Sequence, residues 1–261
     1  MIRTTLIMFF FVLFLSACDK DGDDTHGQVQ PVSLTSYPLT LGNKWVYYTE
    51  SKLTPVPSSV PTQVNKWLST MEVVGDTIIN GEVVMKMAVR DSSYDGVVNA
   101  GNYYLVNRPT GFYIVAITAW FVSRVDIKSS FLRNDFLFHQ GGPQSVLSDS
   151  LYLPDSSLTV LKFPMVLGES WHAVGYSAGF YFDRKYEAGY LQTTDAGVFN
   201  CVRVKGVITS DTSPTGQDDG VDYYMYYSTK GLVRSSTYSI IDLGGVTTAF
   251  TIDSKLTSVN F

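Results

Sequence analysis

The sequence predicts an all-β domain, an antiparallel meander curled into a half-barrel or barrel, behind an N-terminal signal helix. Three observations carry that reading. From Trp45 to the C-terminus, short segments rich in Val, Thr, Tyr and Phe follow one another with turn signals at close spacing, as antiparallel sandwiches and barrels do. No stretch longer than about ten residues carries an apolar stripe at helical spacing. The 17 tyrosines and 15 phenylalanines favour strands, and a 45% hydrophobic composition excludes a disordered chain.

The N-terminal element is justified by its length and flanks. Arg3 precedes an unbroken apolar run from Leu6 to Leu15, which ends in Ser16-Ala17-Cys18. Ten residues of helix reach about 15 Å, half the hydrocarbon thickness a spanning helix must cross, so this is an export signal and not a transmembrane anchor. Leu15-Ser16-Ala17-Cys18 resembles the lipobox of bacterial lipoproteins. The resemblance implies cleavage after Ala17 and diacylglycerol on the Cys18 sulfur, usually with an acylated new amino terminus. One acyl chain holds a protein only marginally and two hold it stably, so the expected contact with the membrane is lipid, through Cys18.

Residues 18–36 form the next unit, the lipidated cysteine with a flexible acidic tether. Asp19-Lys20-Asp21-Gly22-Asp23-Asp24 opens a polar stretch running to Ser36, which as a flexible chain spans about 23 Å. It is not a calcium loop, because Asp24 stands where a Gly is required and Gln30 where the bidentate Glu belongs. Lys20-Asp21 beside the cysteine resembles the surface-export signal of Bacteroidota lipoproteins; in proteobacteria, Asp19 would resemble an inner-membrane retention signal. The expected location is the outer membrane or cell surface, with a periplasm-facing placement left open.

Residues 37–261 read as one β-rich domain with pseudo-repeats at about 37–160 and 161–261. Pro38-Leu39-Thr40-Leu41-Gly42-Asn43-Lys44-Trp45 returns as Pro164-Met165-Val166-Leu167-Gly168-Glu169-Ser170-Trp171, and Tyr103-Tyr104 with Gly111 returns as Tyr223-Tyr224 with Gly231. In order along the chain, strands are expected near 70–74 and 82–89 around the hairpin signal Asn80-Gly81. Others are expected near 102–107, 112–118, 120–127, 133–139, 145–152 and 158–163, then near 171–177, 180–190, 197–209, 221–228, 231–240 and 246–258. Pro55, Pro57 and Pro61 mark residues 51–66 as a long extended loop.

Little in the sequence points to catalysis. The histidines, His26, His139 and His172, have no partner at metal-ligand spacing, and there is no nucleophile elbow, phosphate loop or dinucleotide fingerprint. No cofactor and no metal site are expected, and the net charge of -5 gives no footprint for nucleic acid. With Cys18 acylated, Cys201 stands alone and no intrachain disulfide can form; a buried, inert thiol is its expected state. The loop from Asp211 to Asp222 reads as a solvated connection. Candidate ligand-binding residues are Trp45 and Trp171, which either close a sheet core or stack on a sugar or acyl chain, and Tyr48, Tyr104 and Tyr224, the second members of Tyr-Tyr pairs whose rings point to opposite faces.

The Pro-Leu-x-x-Gly-x-x-Trp opening, Lys162-Phe163-Pro164, Ala196-Gly197-Val198-Phe199 and the closing Gly231-Leu232-Val233 resemble uncharacterised secreted lipoproteins of Bacteroidota over about residues 37–240. More distantly, the chain is similar to periplasmic half-barrels of the lipoprotein-carrier type, whose concave face holds acyl chains. The expected function is therefore a non-enzymatic, membrane-anchored lipoprotein with a binding or envelope-assembly role toward a hydrophobic, glycan or protein ligand. The alternative is a surface-polymer hydrolase built around His139 or His172 and clustered carboxylates.

Overall fold

Alternation of inward and outward side chains recurs along nearly every strand of the domain, and the chain answers it with one continuous antiparallel sheet. The computed structural model describes residues 28–56, 61–93, 98–120, 157–174, 180–210, 221–242 and 247–261. The leader, Cys18, the acidic run, His26, His139, most of the 211–222 loop and the strands expected near 120–127, 133–139 and 145–152 lie outside the described residues, Trp120 excepted.

The strands are β1 (Gln28–Val29), β2 (Lys44–Pro55), β3 (Gln63–Ile79), β4 (Glu82–Ser93), β5 (Val98–Arg108), β6 (Gly111–Trp120) and β7 (Leu158–Lys162), then β8 (Ser170–Val174), β9 (Phe180–Thr194), β10 (Gly197–Ser210), β11 (Val221–Ser228), β12 (Gly231–Asp242) and β13 (Thr247–Asn260). They form a single sheet in the order β1-β9-β10-β11-β12-β13-β2-β3-β4-β5-β6-β7, with β8 also on β9. Two meanders, β2 to β7 and β8 to β13, are thus sewn together where β13 pairs with β2, from Thr248↔Pro55 to Asn260↔Lys44. The sheet curls into a nearly closed barrel, and no helix occurs among the described residues.

Among the described residues no backbone ladder joins β7 to the β8/β9 edge, and side chains bridge that seam. Arg184 on β9 donates through Nη1 to the carbonyls of Thr159 (2.5 Å) and Val160 (3.4 Å), and the Tyr186 hydroxyl donates to Lys162 O (2.6 Å) while accepting from Lys162 N–H (2.9 Å). The edge groups of β7 that a neighbouring strand would satisfy are met this way, as buried backbone polar groups must be. Gly206 allows it: a Cβ there would fall 2.0 Å from the Tyr223 ring, and Tyr223 lies over it to accept a hydrogen bond from Arg184 Nε at 2.8 Å.

Two expectations are corrected. Residues 51–66 are not a long loop, because β2 and β3 pair continuously from Lys44↔Glu72 to Leu53↔Gln63. The prolines fall at and beyond Pro55, the last residue of its strand, where a missing N–H breaks no ladder, and β3 begins at Gln63. The chain also packs before Pro38: Gln28 and Val29 pair with Tyr190 and Gly189, and Leu34 and Tyr37 are buried in the core. Gly189 makes this contact feasible, since a Cβ there would stand 2.2 Å from Val29 O.

Direction along the strands gives the barrel two distinct ends. At one, here the tight-turn end, lie the two-residue hairpins β3–β4 at Asn80-Gly81 (φ 51° and 81°), β5–β6, β9–β10 and β11–β12. Both octapeptides also lie there, and they fold into the same turn: Gly42 and Gly168, each at positive φ, donate to Val73 O and Tyr186 O; Asn43 and Glu169 donate to Thr40 O and Val166 O; Val73 and Tyr186 donate back to Asn43 O and Glu169 O.

Candidate binding site inside the barrel

At the tight-turn end the barrel is filled by aromatic rings. Tyr37 enters from the segment before β2, stacks on Phe112 at 4.3 Å and packs on Trp45 and Tyr227. It is pinned by Asn107, which accepts from Tyr37 N–H (2.8 Å) and donates to Tyr37 O (2.7 Å). Trp45 is fully buried and its indole N–H donates to Lys230 O at 2.6 Å; Tyr47 OH donates to Leu232 O at 2.9 Å. Burial pushes the hydroxyls of Tyr37, Tyr47, Tyr186 and Tyr227 well above the ordinary tyrosine range, because a phenolate here would lose its hydration.

Toward the opposite end the same inward positions change chemistry. On β2 the inward residues run Trp45, Tyr47, Thr49, Ser51; on β3, Val73, Met71, Ser69, Trp67; on β12, Leu232, Ser235, Thr237; on β13, Leu256, Ser254, Ile252, Phe250, Thr248. The ladder registers align Trp67, Thr49, Ser254 and Ser235 side by side across four adjacent strands, and Thr49 Oγ1 and Ser254 Oγ hydrogen-bond at 2.8 Å. Trp67 is 4% exposed, yet its indole Nε1–H has no hydrogen-bond partner among the described residues. A buried donor of that kind costs about 1–3 kcal/mol unless something accepts from it. Hydroxyls that both donate and accept, beside an indole with a free N–H and the apolar faces of Phe250 and Ile252, suit a polyhydroxylated ligand.

The residues singled out in the sequence are not brought together. Trp45 lies in the aromatic plug; Trp171, 8% exposed, packs on Tyr186 at 4.7 Å and donates across the seam to Thr159 O at 3.3 Å. Tyr48, Tyr104 and Tyr224 stand on the outer face of β2, β5 and β11, with two strands between each and the next. Tyr104 packs on an outer aliphatic cluster with Val106 and Val84. Tyr224 lies under Arg203 (5.0 Å) and Lys205 (5.8 Å), and Arg203 also covers Tyr190 (4.3 Å) and pairs with Glu187 (2.8 Å). His172 pairs with Asp183 at 2.8 Å, both more than half exposed on β8 and β9. Among the described residues no group of three His, Cys, Asp or Glu could hold a metal ion, and no helix is long and apolar enough to cross a membrane.

The inward hydroxyl residues were missed because each Ser or Thr is unremarkable by itself. The available signal was the switch along one strand, Trp45-x-Tyr47-x-Thr49-x-Ser51, from aromatic to hydroxyl at constant parity. Tyr37 and Phe163, both buried, extend the octapeptides by one shared aromatic position that was also overlooked.

No family model matches the chain, and no curated protein matches it. Two solved structures are similar to it: a candidate lipoprotein of Parabacteroides distasonis, 15% identical, over 86% of this chain and 97% of that one, and a candidate exported protein with a YmcC-like fold from Bacteroides fragilis, 11% identical, over 86% and 98%. The TM-score is 0.39 for each. At that score neither likeness bears on what this chain does.

Proposed function

We propose that the chain is an exported lipoprotein, anchored through acylated Cys18, whose barrel is a non-enzymatic binding module for a glycan taken into the hydroxyl-lined half. The anchor is supported by the leader and the lipobox resemblance. The binding role is supported above all by the unpartnered, buried indole N–H of Trp67 in register with Thr49, Ser254 and Ser235. Aromatic plugging of the tight-turn end leaves the opposite half as the side from which a ligand enters.

The test is a titration of the protein with a panel of cell-envelope oligosaccharides, followed by tryptophan emission and calorimetry. Trp67→Phe keeps an apolar ring and removes the donor, so it weakens binding about tenfold, the worth of one buried hydrogen bond, with the melting temperature little changed. A panel in which no sugar binds, or binding that survives Trp67→Phe intact, defeats the proposal.

A further inference from the structure

Six large apolar side chains stand 49 to 69% exposed at the tight-turn end: Leu41, Ile78, Val83, Val166, Leu167 and Val198. They come from four separate places around the barrel, namely the turn before β2, the β3–β4 hairpin, the β7–β8 connection and the start of β10. Ile78 and Val83 face each other across a hairpin that runs on past the start of β2. The two octapeptide turns each present the leucine before their glycine, Leu41 and Leu167, to solvent while the preceding Leu39 and Met165 pack inward.

The path of the chain says what this end meets. Gln28 pairs with Tyr190 and Val29 with Gly189, and β9 runs toward the tight-turn end as its numbers rise. The chain therefore enters β1 from the tight-turn side. Cys18 is ten residues before Gln28, about 18 Å for a flexible chain. From Tyr190, the tight-turn end of β9 at Thr194 is four residues away, about 13 Å, and the opposite end at Phe180 is ten residues away, about 33 Å. A lipid on Cys18 thus holds the tight-turn end next to the bilayer at ordinary chain extension.

We propose that the exposed apolar rim of the tight-turn end is a membrane-docking surface that seats the barrel on the lipid interface, with the hydroxyl-lined end turned away from it. The inference rests on the lipid anchor proposed above. Apolar side chains projecting from several turns enter the boundary between headgroups and acyl chains to a depth of about 5–10 Å, and together they fix an orientation that a single flexible tether cannot.

The experiment uses the mature acylated protein in phosphatidylethanolamine–phosphatidylglycerol vesicles containing a nitroxide-labelled lipid, with a bimane label at Leu41→Cys, at Leu167→Cys or at Val56→Cys, which lies at the opposite end. Cys201 is fully buried and takes no label. The expected result is strong quenching at positions 41 and 167 and none at 56. Protein that floats with the vesicles while 41 and 167 stay unquenched overturns the docking and leaves the anchor standing. The same holds if these labels are shielded from water but not quenched and the protein sediments as a dimer, since a second copy then covers the rim. Protein that does not float at all overturns both.

Discussion

The two meanders begin with the same turn and end with different neighbours. Trp45 opens a strand of twelve residues, β2, paired on both sides by β13 and β3; Trp171 opens a strand of five, β8, paired among the described residues only with β9. The three turn hydrogen bonds are the same in both. A shared turn therefore does not set the length or pairing of the strand it starts. A curled sheet of finite strand number has one place where its ends meet, and the second Trp falls there, where Arg184, Tyr186 and Trp171 itself replace ladder bonds with side-chain ones.

The sharpest way to break this comparison is to delete the two indoles. Trp45→Ala removes a ring buried from solvent entirely and a 2.6 Å hydrogen bond to the β11–β12 turn, and is expected to cost about 3–5 kcal/mol. Trp171→Ala removes a ring at the seam with a long 3.3 Å bond, where the neighbours on one side can relax, and is expected to cost about 2–3 kcal/mol. Urea unfolding midpoints at equal m-value make the measurement. Equal losses, or a larger loss at Trp171, would mean that the seam is as tightly held as the paired strands.

A smaller effect isolates the seam itself. Tyr186→Phe keeps the ring packed on Trp171 and removes the hydroxyl that serves both Lys162 N–H and Lys162 O. Leaving those groups without the hydroxyl is expected to cost about 1–3 kcal/mol, and hydrogen exchange should speed up in β7 before it does in β2. If β2 and β7 respond alike, the barrel opens as one unit and the seam is not its weak line.

Much of this architecture is written locally. The strand alternation, the Asn80-Gly81 hairpin, the repeated octapeptide and the inward and outward members of Tyr47/Tyr48, Tyr103/Tyr104 and Tyr223/Tyr224 all follow from period and turn chemistry. Tyr226 and Tyr227 also point to opposite faces, yet both are buried, because Tyr226 lies in a second, outer cluster with Tyr190, Cys201 and Val233. What the sequence could not show depends on partners far along the chain: that β13 would find β2, that residues 28–37 would cross back to the barrel, and that Ser and Thr from three other strands would align beside Trp67. Proline misled the reading at 51–66 for the same reason, since the ladder with β13 and β3 outweighs local preference.

The finest contrast between the meanders concerns their outer clusters, which β3–β6 builds from aliphatic residues and β9–β12 from tyrosines and Cys201. Burial pushes the Cys201 thiol up from 9.0 to about 12, and its Sγ–H points to Phe199 O at 3.6 Å. At pH 8 the folded protein should react with iodoacetamide about a thousandfold more slowly than the urea-unfolded chain, in proportion to the lost thiolate. The sign for stability follows from the same shift. Between pH 9 and 12 the folded state keeps a proton that the unfolded state has released, so this contribution is complete below about pH 9 and is lost as pH rises. The buried phenols of Tyr37, Tyr47, Tyr186 and Tyr227 act in the same direction at higher pH, and Cys201→Ala should remove only the earliest part of the alkaline decline. Fast alkylation at pH 8 with the fold intact would show that the outer cluster of the second meander opens independently of the barrel beneath it.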